Sequence, residues 1–363
     1  AKFIRSLKCE VLMMKIVVKS VDFHADTKLI EYIEQKLSRL NRYFDKAIQE
    51  EAWFQYAKLS YELGYTNDAL VSLKNFIAAY PKSQYNLEAN ELLADLFLMT
   101  RNYEEAMAII DNLPTKSEKL KDAYQKMAYY RGVENYNDYK FENAETFFDK
   151  SLKYPNSKSI EALCYYWKAD MAYQKSEFDK SITLVNKFIP MASSVSTEHS
   201  DKVNAGTANY LQGYNYYKKK DYKNADDYFL KAVNSLKNDN NITNKQNVLP
   251  DAMIRLADCY FMQKQYKSSA QYYDEVIKAN SQGADYALYQ KSIIDGLGGN
   301  YNEKIAGMKA LVARFPNSAF ADDAIMQTGN TYMAQDKDDL AIEAFKSLFA
   351  KNPKSDQVPD AYL

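Results

Sequence analysis

The stretch DYKNADDYFLKAV (residues 221–233) holds a small residue, Ala225, behind a polar lead and four places ahead of a bulky one, Phe229. Residues four apart share one face of a helix, so this pair predicts a helix with a narrow point beside a wide one. The arrangement returns in YTNDALVSLKNFIAAYP (65–81), NYEEAMAIIDNLP (102–114), KFENAETFFDKSLKYP (140–155), EFDKSITLVNKFIP (177–190), QYKSSAQYYDEVI (265–277), NYNEKIAGMKALVARFP (300–316) and DKDDLAIEAFKSLFAKNP (336–353). The small residues are Ala69, Ala106, Ala144, Ser181, Ala225, Ser269 and Ala341; the unit at 300–316 is degenerate around Lys304–Ala306. A second small residue stands at a fixed distance upstream of each: Ala57, Ala94, Gly132, Ala169, Gly213, Ala257 and Gly329. Two antiparallel helices can approach closely where such residues meet, since a larger side chain would push the axes apart. Several units close on Pro, which cannot continue a helix and holds its predecessor in extended geometry.

Composition agrees with helices. The 363 residues include only 10 Gly and 8 Pro but 32 Tyr. Such a scarcity of breakers disfavours a turn-rich β fold. Charges are nearly balanced, 47 Lys+Arg against 48 Asp+Glu, which argues against a strong field for nucleic acid or membrane. A basic surplus lies in residues 1–49 and a slight acidic surplus in the rest. Cys9, Cys164 and Cys259 are far apart and form neither a metal-ligand spacing nor a disulfide framework, as in a reducing compartment. No apolar run approaches the roughly 18 residues that span a bilayer. Lys8, Glu10 and Lys15 interrupt the opening AKFIRSLKCEVLMMKIVV, so no export signal is expected there. The chain as written is therefore expected to be cytoplasmic; a periplasmic or envelope location follows if the repeats' native N-terminus is missing.

In register, the eight stretches resemble the tetratricopeptide repeat (TPR) over residues 50–363. That pattern has small residues at the eighth and twentieth positions, a bulky one at the twenty-fourth and Pro near the thirty-second. The resemblance implies an all-α fold, a right-handed superhelix or α-solenoid of about eight helix pairs. The units run longer than the roughly 34 residues of the repeat, and joints such as YPKS, YPNS and FPNS resemble bacterial TPR proteins of the cell envelope. The longest intervals hold PMASSVSTEHSDKVNAG and NSLKNDNNITNKQNVLP, read as polar connectors projecting from one edge. SDQVPDAYL at the end reads as the start of a ninth first helix, so the chain is expected to be truncated there.

Catalytic sets do not emerge. His24 and His199 lie in different regions without a Ser or Cys partner pattern. DGLGGN (295–300) follows a helix rather than a strand and reads as a turn, not a phosphate cradle. Neither an enzyme, a cofactor nor a metal site is expected. TPR superhelices work through the concave face, lined by the second, fifth, ninth, twelfth and thirteenth positions. Carried onto this sequence, those positions give Phe54, Lys58 and Tyr61; Glu91 and Asp95; Tyr129, Val133 and Tyr136; Tyr166, Asp170 and Tyr173; Tyr210, Tyr214 and Tyr217; and Ile254, Asp258 and Phe261. The resemblance thus implies a non-enzymatic scaffold with a Tyr-rich groove for a peptide or protein, with Asp95, Asp170 and Asp258 suited to basic residues. Phe54/Lys58, Glu91/Asp95 and Tyr129/Val133 do not reproduce the Lys/Asn clamp that grips chaperone C-termini. The acidic surplus of the repeats counts against nucleic acid, DNA included.

The front end differs. Residues 1–13 are unassigned. In residues 14–49, Lys15–Phe23 reads as a strand, and Ile30, Ile33, Leu37, Leu40, Phe44 and Ile48 share a helix face. VDFHADTKLIEYIEQKLSRLNRYFD (21–45) resembles the first strand and helix of ribosome hibernation-promoting factors. That resemblance implies a ribosome contact through residues 14–49, with the repeats as a recruiting module. The other strands of that family have no counterpart, because a repeat's first helix follows directly. The same helix is expected to run on through Ala52, Tyr56 and Leu63, or to break softly near Lys46–Glu50.

Overall fold

The computed structural model describes residues 46–196, 202–239, 244–351, 355 and 357–361. The expected strand, most of the helix after it, His24, His199 and Cys9 lie outside the described residues. Every described regular element is helical, and the helices come in pairs. Helices α1 (Lys46–Glu62) and α2 (Thr66–Ala79) form the first pair, α3 (Asn86–Thr100) and α4 (Tyr103–Asn112) the second, and α5 (Glu118–Asn137) and α6 (Phe141–Leu152) the third. Next come α7 (Lys158–Gln174) with α8 (Phe178–Phe188), α9 (Ala205–Lys218) with α10 (Tyr222–Lys237), and α11 (Leu249–Met262) with α12 (Tyr266–Ala279). Helices α13 (Ala284–Leu297) and α14 (Tyr301–Arg314), then α15 (Ala321–Met333) and α16 (Asp338–Lys351), complete eight pairs before a single turn, α17 (Val358–Ala361). The chain divides at Ser157 into two compact units, with three pairs in the first and five in the second.

One backbone device makes all eight turns within pairs. Each contains a residue in the left-handed region: Gly64, Arg101, Tyr139, Ser176, Lys220, Lys264, Gly299 and Asp336, with φ between 54° and 78°. The next N–H then bonds back to the last turn of the preceding helix, as in Asn102 to Phe97 (3.1 Å), Asp221 to Tyr216 (3.0 Å) and Asn300 to Asp295 (2.9 Å). This is the Schellman closure of a helix C-terminus, which satisfies carbonyls that would otherwise lack partners. Six of the eight left-handed residues are not glycine, so sequence alone gave little sign of the device.

The turns fix the register of the degenerate unit. Gly299 occupies the turn position, which places Lys304 where the other repeats have Ala or Ser, with Ser292 as its upstream counterpart. A Cβ on Gly296, one turn beyond Ser292, would meet Lys304 Cδ at 2.6 Å. The lysine stem is accommodated because the facing helix carries glycine there.

Elsewhere the contact differs in one respect from expectation. Small residues do not simply meet small residues; the upstream one receives the bulky side chain of its partner helix. A Cβ on Gly132 would lie 2.7 Å from the Phe148 ring, and one on Gly213 would lie 2.6 Å from Phe229. Gly329 faces Phe345 in the same way. At Ala57, Ala94 and Ala169 the counterparts Leu73, Ile110 and Val185 are aliphatic, whereas Ala257 has the buried Tyr273. In the pairs other than Ala257 and Tyr273, side-chain volumes are complementary, as close packing requires.

In the first unit one core runs from Phe54 to Ala128. Gln125 is fully buried and clamps the end of the third pair, donating to the Ser157 carbonyl (3.1 Å) and accepting from the Ser157 N–H (2.7 Å). Helix α1 shows no break within Lys46–Glu62. The apolar residues expected along this helix, Ala52, Tyr56 and Leu63, are exposed, together with Ile48 and Leu59. Phe54, Ala57 and Ser60 face inward instead. In the second unit, parts of the long connectors pack against the helices rather than projecting. Val203 and Asn244 are buried, and the Asn244 amide donates to Asp239 (2.8 Å).

Candidate functional site

The expected groove residues come from the first helices of the pairs, and the structure sorts them by burial. Phe54 is 1% exposed and belongs to the core, stacked on Tyr85 with ring centroids 4.8 Å apart. Tyr129 is 4% exposed and packs against Phe148. Neither offers a surface in this structure, because the fifth position of these repeats turns into the core. Tyr61, Asp95, Val133 and Tyr136 are half-buried. Asp95 is paired with Lys119 at 3.0 Å. Lys58 pairs with Glu88 (2.8 Å), and Glu91 accepts from the Ser117 hydroxyl (2.5 Å). Lys119 escaped the repeat frame because α5, with 20 residues, begins well before its repeat does.

Side chains converge more closely in the second unit. Tyr210, Tyr214 and Tyr217 fall on one face of α9 at helical spacing. Each rests against the buried Phe229 ring, with centroids 6.2, 5.3 and 6.4 Å away. Phe229 is the residue that Gly213 admits, so the close helix contact also sets the height of the three tyrosines. Tyr173 of α7 meets Tyr214 edge to face at 6.1 Å, and Tyr166 packs on Phe188. Phe261 stands half-buried against Tyr266.

A charged network joins four helices here. The Tyr210 hydroxyl donates to Asp251 Oδ2 at 2.7 Å, and the Tyr214 hydroxyl donates to the same oxygen. Arg255 donates through Nε to the Tyr214 hydroxyl (3.0 Å), through Nη1 to Asp258 Oδ2 (2.8 Å) and through Nη2 to Asp251 Oδ1 (3.3 Å). Asp258 Oδ1 accepts from Tyr273 of α12 (2.5 Å) and Tyr286 of α13 (3.0 Å). Asp258 is only 5% exposed, so its carboxylate is spent on the fold and does not face a partner as expected. Burial lifts its pKa above the ordinary carboxylate range, while the bonds from Tyr273, Arg255 and Tyr286 pull the other way. Burial, then the neighbouring carboxylates and hydroxyls, push the Tyr210, Tyr214, Tyr273 and Tyr286 hydroxyls upward. Burial also raises Tyr166, to about 12. For Arg255, burial opposes the charge, but Tyr214, Asp251 and Asp258 outweigh it.

Beside this network lies a cavity of about 340 Å³, with Tyr210, Asp251, Arg255, Tyr286, Asn247 and Gln282 among its lining residues. Five of these were missed from the sequence; Arg255 stands at the sixth position of its repeat, which is not among the lining positions. Asp251 holds the second position of its repeat and was legible in principle. Tyr286 holds the second position of the degenerate seventh repeat, whose register needed the turn at Gly299. Asn247 belongs to a π turn (Asn244–Val248) and Gln282 to a joint, where the repeat pattern carries no information. Cys164 and Cys259 are buried and are not in a disulfide, and burial raises the pKa of Cys259. Among the described residues, no helix is long and apolar enough to cross a membrane.

Comparison with known proteins agrees with the helix pairs. The tetratricopeptide repeat family model matches residues 51–83, 251–282 and 323–355, and a second tetratricopeptide repeat model matches residues 206–235. The chain carries tetratricopeptide repeats. None of the curated proteins matches its sequence significantly. Among solved structures, the C-terminal part of a TPR repeat-containing protein from Cytophaga hutchinsonii is 14% identical, with a TM-score of 0.51 over 74% of this chain and 98% of that one. YrrB, a TPR protein with an unusual peptide-binding site, is 20% identical, with a TM-score of 0.44 over 59% of this chain and 97% of its own. PilW, a type IV pilus biogenesis factor, is 15% identical, with a TM-score of 0.44 over 66% of this chain and 98% of its own. At 14% identity the likeness to the Cytophaga hutchinsonii protein is one of fold.

Proposed function

We propose that the chain is a protein-interaction scaffold that binds a peptide segment of a partner along the tyrosine-bearing first helices. The observation that carries this reading is the second unit's network, where Tyr210, Tyr214 and Tyr286 surround Asp251 and Arg255 beside a cavity. Tyrosine supplies broad contact area at small entropy cost and keeps a hydroxyl for polar pairing. The hydroxyls are held by carboxylates, so the rings are fixed before a partner arrives, which reduces the ordering cost of binding. Tyr61 and Tyr136 in the first unit, and Tyr166, Asp170, Tyr173, Tyr217 and Phe261 in the second, are half-buried and remain candidates for contact.

The test is selection of displayed random peptides, each of about twelve residues, a length suited to groove recognition. Affinity of the selected peptides is then measured for the full chain and for Tyr173→Ala and Tyr286→Ala. The expected loss is about tenfold or more for each substitution, the range of an aromatic interface residue. Selected peptides that bind both variants as tightly as the parent would contradict the reading. A second reading rests only on residues 21–45 and their resemblance to hibernation-promoting factors. It requires the full chain to cosediment with ribosomes and a chain starting at Glu50 not to.

A further inference from the structure

The cavity beside Asp251 has a charge and a size that specify what enters it. Two carboxylates, Asp251 and Asp258, share one guanidinium, Arg255. Each Arg255 nitrogen already donates within the network, to Tyr214, Asp258 and Asp251. Asp258 is buried and accepts three bonds. Asp251 is the accessible carboxylate, with its side chain 29% exposed. Its Oδ2 takes both tyrosine hydroxyls, whereas among the described residues its Oδ1 has the long 3.3 Å contact from Arg255. Two carboxylates against one guanidinium leave the cluster net negative, and Asp251 is on the cavity wall. Asp170 lies near enough to Tyr173 to raise its pKa together with Asp251, after burial, adding acid to the same neighbourhood.

We propose that this cavity seats a basic side chain of the partner, arginine before lysine. This rests on the peptide-groove reading given above and names the residue that anchors the peptide. The volume of about 340 Å³ is near the lower end of the roughly 300–1,000 Å³ of ligand pockets, which suits one long side chain. Tyr210 and Tyr286 are among the lining residues, and a guanidinium stacks on an aromatic ring better than an ammonium does. Asn247 and Gln282 also line the cavity, and an amide side chain can offer a carbonyl acceptor to N–H groups. An incoming carboxylate would instead compete with Asp251 for Arg255 and add a third negative charge to the cluster.

The proposal is tested on the full, unaltered chain by ligand-observed NMR titration with four probes: the N-acetyl methylamides of arginine, lysine, citrulline and glutamate. Citrulline keeps the shape of arginine without its charge. Saturable binding of arginine and lysine is expected, with citrulline weaker by about tenfold and glutamate not binding, as for loss of one charge and cation–π contact. Asp251→Asn, with its helix content and melting checked first, should weaken arginine by a similar factor. Citrulline binding as well as arginine, absence of saturable arginine binding, or preferential glutamate binding would each overturn the proposal; the last would make Arg255 an anion seat. The probe series on the parent chain decides even if Asp251→Asn folds poorly. Selected peptides that depend on Tyr173 and Tyr286 yet lack basic residues would remove this inference while leaving the groove. Arginine binding with no groove-dependent peptide would do the reverse.

Discussion

Gly132 has no side chain because Phe148 occupies the space a Cβ would take, 2.7 Å from the ring. Phe148 is itself fully buried and cannot swing aside. Gly132→Ala should therefore destabilise the protein by about 1–2 kcal/mol, the overpacking cost less the gain in helix propensity. Thermal melting checks this, and on a Phe148→Leu background the same substitution should become neutral or stabilising. Lys220 makes the opposite case. It is exposed and held at φ 62°, where an L side chain costs roughly 1–2 kcal/mol and glycine is free. Lys220→Gly should thus raise stability by about 0.5–1 kcal/mol after glycine's larger unfolded-state entropy is subtracted. Urea unfolding of the two chains reads the difference.

At the scale of the helix pair, the seventh repeat is the informative one. Its lysine stands where the others have Ala or Ser, and burial lowers the Lys304 pKa. Among the described residues, its Nζ donates to a neutral partner, the Gln327 side-chain carbonyl, at 2.9 Å. A folded-state pKa below that of the unfolded chain means the native state binds fewer protons in that interval. The stability Lys304 contributes is therefore full above the unfolded pKa and lost as pH falls through the folded one. Lys304→Met should be neutral or stabilising at neutral pH, and should flatten the rise in melting temperature between neutral pH and about pH 10. Gly296→Ala should cost less than Gly132→Ala, because a lysine stem yields more readily than a buried ring. The same repeat marks the limit of what the sequence disclosed. Seven pairs were legible from their small residues, and the eighth existed as a helix pattern, but its register depended on a backbone conformation at Gly299. Tyr286 was hidden with it. Phe54, Tyr129 and Asp258 were legible as first-helix residues, yet position in a repeat does not say whether a side chain turns inward. That is decided by neighbours such as Tyr85, Phe148 and Tyr273, which come from other parts of the chain.

For the whole molecule, the tyrosines tie the fold to pH. Burial raises Tyr124, Tyr166, Tyr210, Tyr214, Tyr273 and Tyr286, several of them helped by Asp111, Asp251 or Asp258. Unfolded tyrosine ionises near pH 10. The folded state keeps these protons above that point, so their contribution to stability is full below about pH 10 and is lost as pH rises further. Tyrosinate absorbance should increase in two steps, the second coinciding with loss of helical circular dichroism. A single step near pH 10 with helices intact would contradict the burial described here. The central claim, that the first helices form the binding face, is tested most directly by hydrogen exchange of the full chain with and without a selected peptide. Slowed exchange in α9, α11 and α13 of the second unit, with α10, α12 and α14 unchanged, is the predicted result. Protection confined to the second helices of the pairs, or none at saturating peptide, would contradict it.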